Sequence, residues 1–193
     1  MFAVQHKKNS RSGILSAARM LFSTKGFHQT AMSELATAAG VSVGQIYRLF
    51  AGKSDVIRAI VEEDATARIA EISALGERLR SGAIDLRASF LELAEQSLKK
   101  GDEALSFEIL AEAHRNPDVA RAIADLCTRY RAVLREFTCA ANPTLSEAKL
   151  DGAEEVLLAI MFGLGHRTLS RPRLSVEQTA QSTADLLIAA FLN

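Results

Sequence analysis

Basic and acidic residues are equal in number, 23 of each among 193, and 48% of the chain is hydrophobic. That apolar content supports a real core in one large domain or two small ones. No run reaches the roughly 18 apolar residues of a membrane span, and the basic N-terminus lacks the apolar core of a secretion signal. The neutral average hides a division. Residues 1–60 hold eight Lys and Arg against Glu34 and Asp55, a local +6, which leaves −6 for the remainder.

The first periodic segment predicts a helix over 12–25, with Ile14, Ala18, Leu21 and Phe22 on one apolar face. Gly26 ends it and Phe27 is placed to pack back. Residues 32–53, MSELATAAGVSVGQIYRLFAGK, read as helix, tight turn and second helix. Leu35, Ala36, Gly40, Val41, Ile46 and Leu49 fall where two short, steeply crossing helices need apolar, small or flexible residues. Gly40 suits a left-handed residue closing the first helix. Ser42 with Gln45 three residues on matches a capping box opening the second. A fourth helix over about 53–80 has Asp55 in its first turn, where a negative charge suits the helix dipole. Further helices follow over about 84–99, 102–115, 117–140, 146–169 and 175–192. The later ones are parted at Asn116-Pro117, Asn142-Pro143 and Arg171-Pro172. The 117–140 helix carries an apolar stripe of Val119, Ile123, Leu126, Tyr130, Val133, Leu134 and Phe137. No segment alternates as a strand would, so the fold class is all-α.

The helix–turn–helix leaves Val43, Gly44, Gln45, Tyr47 and Arg48 near the start of an exposed face, where a recognition helix carries base and phosphate contacts. Gln45 can pair with adenine, and Arg48 can read guanine or hold a phosphate. Gln45 has a rival role in the capping box, and Tyr47 can pack its ring while its hydroxyl faces outward. The local positive charge fits a polyanion.

Residues 153–165, AEEVLLAIMFGLG, are apolar almost all round a helix. A helix covered only by its own core keeps a polar opposite face, so a partner surface is expected here. The last helix offers similar surface at Ala184, Leu187, Ile188 and Phe191. Gly163 and Gly165 would allow close backbone approach.

Catalytic chemistry finds no support. Cys127 and Cys139 stand twelve residues apart on one expected helix and cannot bond within it; they fit reduced thiols in a cytoplasm. No glycine elbow or acidic orienter accompanies them and a histidine. No spacing calls for a metal or cofactor.

The run ELATAAGVSVGQIYRLFAGKSDV, preceded by Gly26-Phe27 and Thr30, resembles the DNA-binding domain of TetR-type transcriptional repressors, over residues 12–60. The resemblance implies a three-helix DNA-binding domain, 1–52, joined by a long helix to a ligand-binding and dimerisation domain, 53–193. It implies phosphate contacts from Thr30, Tyr47 and Lys53, and places Ser42, Val43, Gly44, Gln45 and Arg48 at or near the major groove. It implies a homodimer through the last two helices on a pseudo-palindromic operator. It also implies a small-molecule inducer held by the middle helices, with Phe107, Leu110, His114, Leu126, Cys127, Tyr130 and Phe162 as candidate lining. Inducer binding would shift helix four and weaken DNA binding. His114 and Tyr130 each have a structural alternative, as a helix-end cation and as core. A C-terminal region that binds a protein instead of a small ligand is the competing reading. The chain departs from the family's pattern at Ala31, where Ser or Thr often caps the second helix, and at Leu49, where His is frequent. Thr30 or Ser33 is the candidate replacement cap.

Overall fold

The computed structural model describes residues 2–99 and 101–192, and side chains over 10–99 and 101–190. Among these residues every regular element is helical: α1 Phe2–Lys25, α2 Met32–Ala38, α3 Val43–Tyr47, α4 Lys53–Arg80, α5 Leu86–Leu98, α6 Glu103–Ala113, α7 Pro117–Ala141, α8 Glu147–Gly165 and α9 Val176–Leu192. The all-α expectation holds. Two boundaries differ. α1 starts well before residue 12, and α8 stops at Gly165 instead of 169. A short 3-10 turn, Arg167–Ser170, follows α8 and closes on Arg171 at φ 52°.

The chain forms two compact units that do not follow sequence order. One comprises the residues up to Ala65 with Asp102–Leu126; the other comprises Thr66–Gly101 with the residues from Cys127 onward.

In the first unit Ile14, Ala18, Leu21 and Phe22 are all buried, as the periodicity of α1 requires. Gly26 takes φ +87° and turns the chain so that the Phe27 ring meets Phe22 edge-on at 5.3 Å. Leu35, Ala36 and Ile46 from α2 and α3 close this core with Phe50, Val56, Ile57 and Ile60, and α6 and α7 add Leu105 and Val119.

In the second unit Ile72, Leu75, Phe90, Leu93, Val133, Leu134, Phe137 and Leu157 form the core with Ala184 and Leu187. Phe90 and Phe137 meet edge-on at 5.3 Å. The α7 stripe thus serves both cores: Val119, Ile123 and Leu126 pack in the first, and Tyr130, Val133, Leu134 and Phe137 in the second.

The expected outer surface of the last two helices needs correction. Ala184 and Leu187 are buried in their own unit's core and Ile188 packs against it; Phe191 lies outside the described side chains. The exposed large apolar residues of α9 are Val176 at its start and Leu186, at 72%. α8 does expose Val156 and Phe162. Gly163 has open space where a Cβ would stand, but Gly165 faces the Ser97 carbonyl of α5 and serves packing inside the unit.

Candidate nucleic-acid interface

The turn between α2 and α3 is built as its residues dictate. Gly40 adopts φ +65°, and the Val41 N–H donates to the Ala36 carbonyl at 3.0 Å, closing the end of α2. The capping box is complete. Ser42 Oγ accepts the Gln45 N–H at 3.2 Å, and Gln45 Oε1 accepts the Ser42 N–H at 2.8 Å. Ile46 is fully buried and anchors α3. The opposite face stands clear: Ser42, Val43, Gly44, Tyr47 and Arg48 are all exposed.

Gln45 is engaged as a cap, half-buried, with its amide nitrogen left over for an outside partner. Arg48 has no carboxylate partner among the described residues, which separates it from its basic neighbours. Arg19 pairs with Glu63 and Asp64, Lys25 with Glu34, and Arg58 with Asp55. The Arg11 guanidinium lies 5.8 Å from the Phe50 ring centre. The +6 already counts Glu34 and Asp55, so of these pairs only that of Arg19 with Glu63 and Asp64 offsets it further.

Two of the three expected phosphate contacts are placed otherwise. Thr30 is 0% exposed, and its hydroxyl donates to the Gly26 carbonyl at 2.9 Å. It holds the α1–α2 loop and offers no side chain to DNA. It does not cap α2 either; Ala31 is the N-cap and no side chain caps the helix. Lys53 Nζ donates to the carbonyls of Phe27 at 2.7 Å, His28 at 3.2 Å and Thr30 at 2.8 Å, which uses all three ammonium protons. Burial lowers the Lys53 pKa, and the charge of Glu112 opposes that.

Sequence reasoning missed two residues of this region, Glu108 and Glu112. Glu108 Oε2 accepts the Phe27 N–H at 2.8 Å. Glu112 is buried, with Oε2 at 3.1 Å from His28 Nε2, and Oε1 accepts from Asn116 at 3.2 Å. A signal was present. Leu105, Glu108 and Glu112 follow one another at three and four residues, so both carboxylates lie on the buried face of α6.

The chain matches the family model for bacterial regulatory proteins, tetR family, over residues 14–60. It is 34% identical over 112 residues to the HTH-type transcriptional regulator UidR of Escherichia coli strain K12. That match spans 58% of the chain and about half, 55%, of UidR's own length. It is 27% identical over 187 residues to the HTH-type transcriptional repressor BepR of Brucella suis, covering 95% of the chain and 79% of BepR. Its fold is that of Salmonella enterica GusR, with TM-score 0.75 at 24% identity over 95% and 96% of the two chains.

Residues 14–60 are similar to the DNA-binding region of the bacterial regulatory proteins, tetR family.

The seven expected inducer contacts divide between the units. Phe107, Leu110, His114 and Leu126 lie in the first, and Cys127, Tyr130 and Phe162 in the second. His114 is exposed and forms the C-cap of α6. Phe162 is 51% exposed and carries the His166 ring at 4.3 Å. A recess of about 280 Å³ occurs elsewhere, between α8 and α9, lined by Leu145, Lys149, Gly152, Ala153, Val156, Leu157, Leu187 and Ala190. None of the seven lines it. Among the described residues no helix is long and apolar enough to cross a membrane, and no His, Cys, Asp and Glu group has the arrangement of a metal site.

Proposed function

We propose that this chain is a dimeric DNA-binding transcriptional regulator, a repressor released from a pseudo-palindromic operator by a small-molecule inducer. The observation that carries the reading is the α3 face. Ser42, Val43, Gly44, Tyr47 and Arg48 stand exposed on a helix pinned from behind by Ile46, with Arg48 unneutralised. Arg48 and Tyr47 are the proposed DNA contacts of greatest weight, and the Gln45 amide nitrogen adds a donor toward a base edge. Residues 1–52 are the proposed DNA-binding domain and 53–193 the proposed ligand-binding and dimerisation domain.

Dimerisation is proposed through α8 and α9, with Val156, Gly163 and Leu186 as the contact surface. Their exposure supports it, as does the two-fold symmetry of an inverted-repeat site. Inducer contacts are proposed separately in each unit, from Phe107, Leu110, His114 and Leu126 in the first and from Cys127, Tyr130 and Phe162 in the second. In support, every one of these side chains keeps exposed or half-exposed surface instead of being sealed in a core.

The test is fluorescence anisotropy with the full chain, over 50 to about 200 mM salt, on a duplex that the protein itself enriches from random DNA. Wild-type binding is expected to weaken steeply with salt. Arg48→Ala is expected to lose about 1–3 kcal/mol on the enriched site, and less on unrelated duplex, as a base-reading contact would. Weak binding that is equal on every duplex and indifferent to Arg48→Ala would sink the proposal.

A further inference from the structure

We propose that Lys53 with Glu108 and Glu112 forms an internal clamp on the α1–α2 loop, so that Lys53 governs DNA affinity as a positioning residue and not as a phosphate contact. This rests on the DNA-binding reading of α3. The loop, residues 26–31, is the support on which α2 stands, and its polar backbone is gripped from two sides.

From α4, one ammonium donates to three loop carbonyls, and its charge lies 4.7 Å from the centre of the Phe27 ring. From α6, Glu108 accepts the Phe27 N–H and its carboxylate stands over Gly26. Glu112 faces His28 and, through Asn116, reaches Ser54 at the start of α4; the Asn116 amide donates to Ser54 Oγ at 2.8 Å. The carbonyls meet the Lys53 cation and the Phe27 N–H meets the Glu108 anion, while Glu112 meets the loop through the His28 side chain, its Oε2 near Nε2 without a hydrogen bond. Burial strengthens such pairings and makes a missing partner costly.

A phosphate approaching Lys53 would have to draw protons away from carbonyls that have no other donor among the described residues. The ammonium's three donors diverge, and the loop carbonyls surround them. A guanidinium is a planar fork and cannot reproduce that arrangement. The clamp also gives α6 a hold on the helix–turn–helix. A shift of α6 carries Glu108 and Glu112 with it, and the loop under α2 must follow or lose its partners.

Three full-chain variants separate the roles: Lys53→Arg, Lys53→Met and Glu112→Gln. Each is titrated against the duplex enriched by wild type, across the salt series, and each is checked by thermal unfolding and by amide exchange of residues 26–31. In the clamp, all three bind on the order of ten-fold more weakly, with the salt slope of wild type kept. Glu112→Gln raises exchange across residues 26–31 by loosening the hold of α6 on the loop, and adding it to Lys53→Met costs little more than Lys53→Met alone. Lys53→Arg binding as tightly as wild type would overturn the proposal. So would Lys53→Met lowering the slope by about 0.9, the loss of one phosphate contact. If wild type enriches no DNA sequence, the DNA-binding reading falls and the positioning role falls with it; loop exchange in Glu112→Gln still judges the clamp.

Discussion

Glu34 shows how a single residue of the DNA-binding region answers to pH. Its carboxylate is held below the ordinary value of 4.5 chiefly by the Lys25 ammonium, with burial opposing and the Ala31 backbone N–H assisting. The sign follows from linkage. A carboxylate with a depressed native pKa binds its proton less readily when folded than when unfolded. Its contribution is therefore present above the ordinary carboxylate range and is lost as pH falls through the native value. Glu34→Gln is expected to be less stable than wild type at neutral pH, with the gap closing below about pH 4.5. Urea unfolding at a series of pH values measures it, and a gap that persists unchanged into acid would refute the assignment. The pair is exposed, so added salt should narrow the same gap.

At the scale of elements, α2 carries an omission the sequence already announces. Its N-cap, Ala31, has the extended backbone of a capping residue, φ −85° and ψ 150°, but no oxygen to offer. Glu34 stands at the third helical position, where a capping box places its reciprocal carboxylate, and the Ala31 backbone helps to lower its pKa. Ala31→Ser is expected to complete the box and raise stability by about 0.5–1 kcal/mol, read from the urea midpoint with an unchanged slope. A midpoint that stays put would mean that the Ser hydroxyl does not reach the Glu34 N–H.

Features whose cause is local were legible in this way. Gly26, Gly40, the Ser42–Gln45 box and the α1 face need only their own neighbours in the chain. Lys53 and Thr30 were not, because their partners are backbone carbonyls that converge only after the loop has folded. The family pattern pointed both toward phosphate, and the structure turns both inward. Glu108 and Glu112 leave a trace in spacing, since carboxylates on an apolar face demand partners, but spacing does not name His28 or Phe27.

For the whole molecule, the test falls on the surface of α8 and α9. The apolar residues of the last helix do not disclose in sequence which side its own core takes, and here the core takes Ala184 and Leu187. Leu186 faces outward from the middle of α9. A charge placed there leaves the core untouched but would be buried, unpaired, in any symmetric contact through α9, where each copy would bring its own charge to the same seam. Leu186→Glu is accordingly expected to keep wild-type helicity and to lose no more than about 0.5 kcal/mol of protomer stability, as surface substitutions do. The mass by light scattering should fall from two copies toward one at micromolar protein. Binding to an inverted repeat should weaken far more than binding to a half-site, because a monomer forfeits the linkage between two recognition helices that makes the second contact intramolecular. A variant that stays dimeric and keeps full affinity would remove α9 from the interface. A wild type that is monomeric at the same concentration would remove the dimer itself, and with it the reason for a two-fold operator.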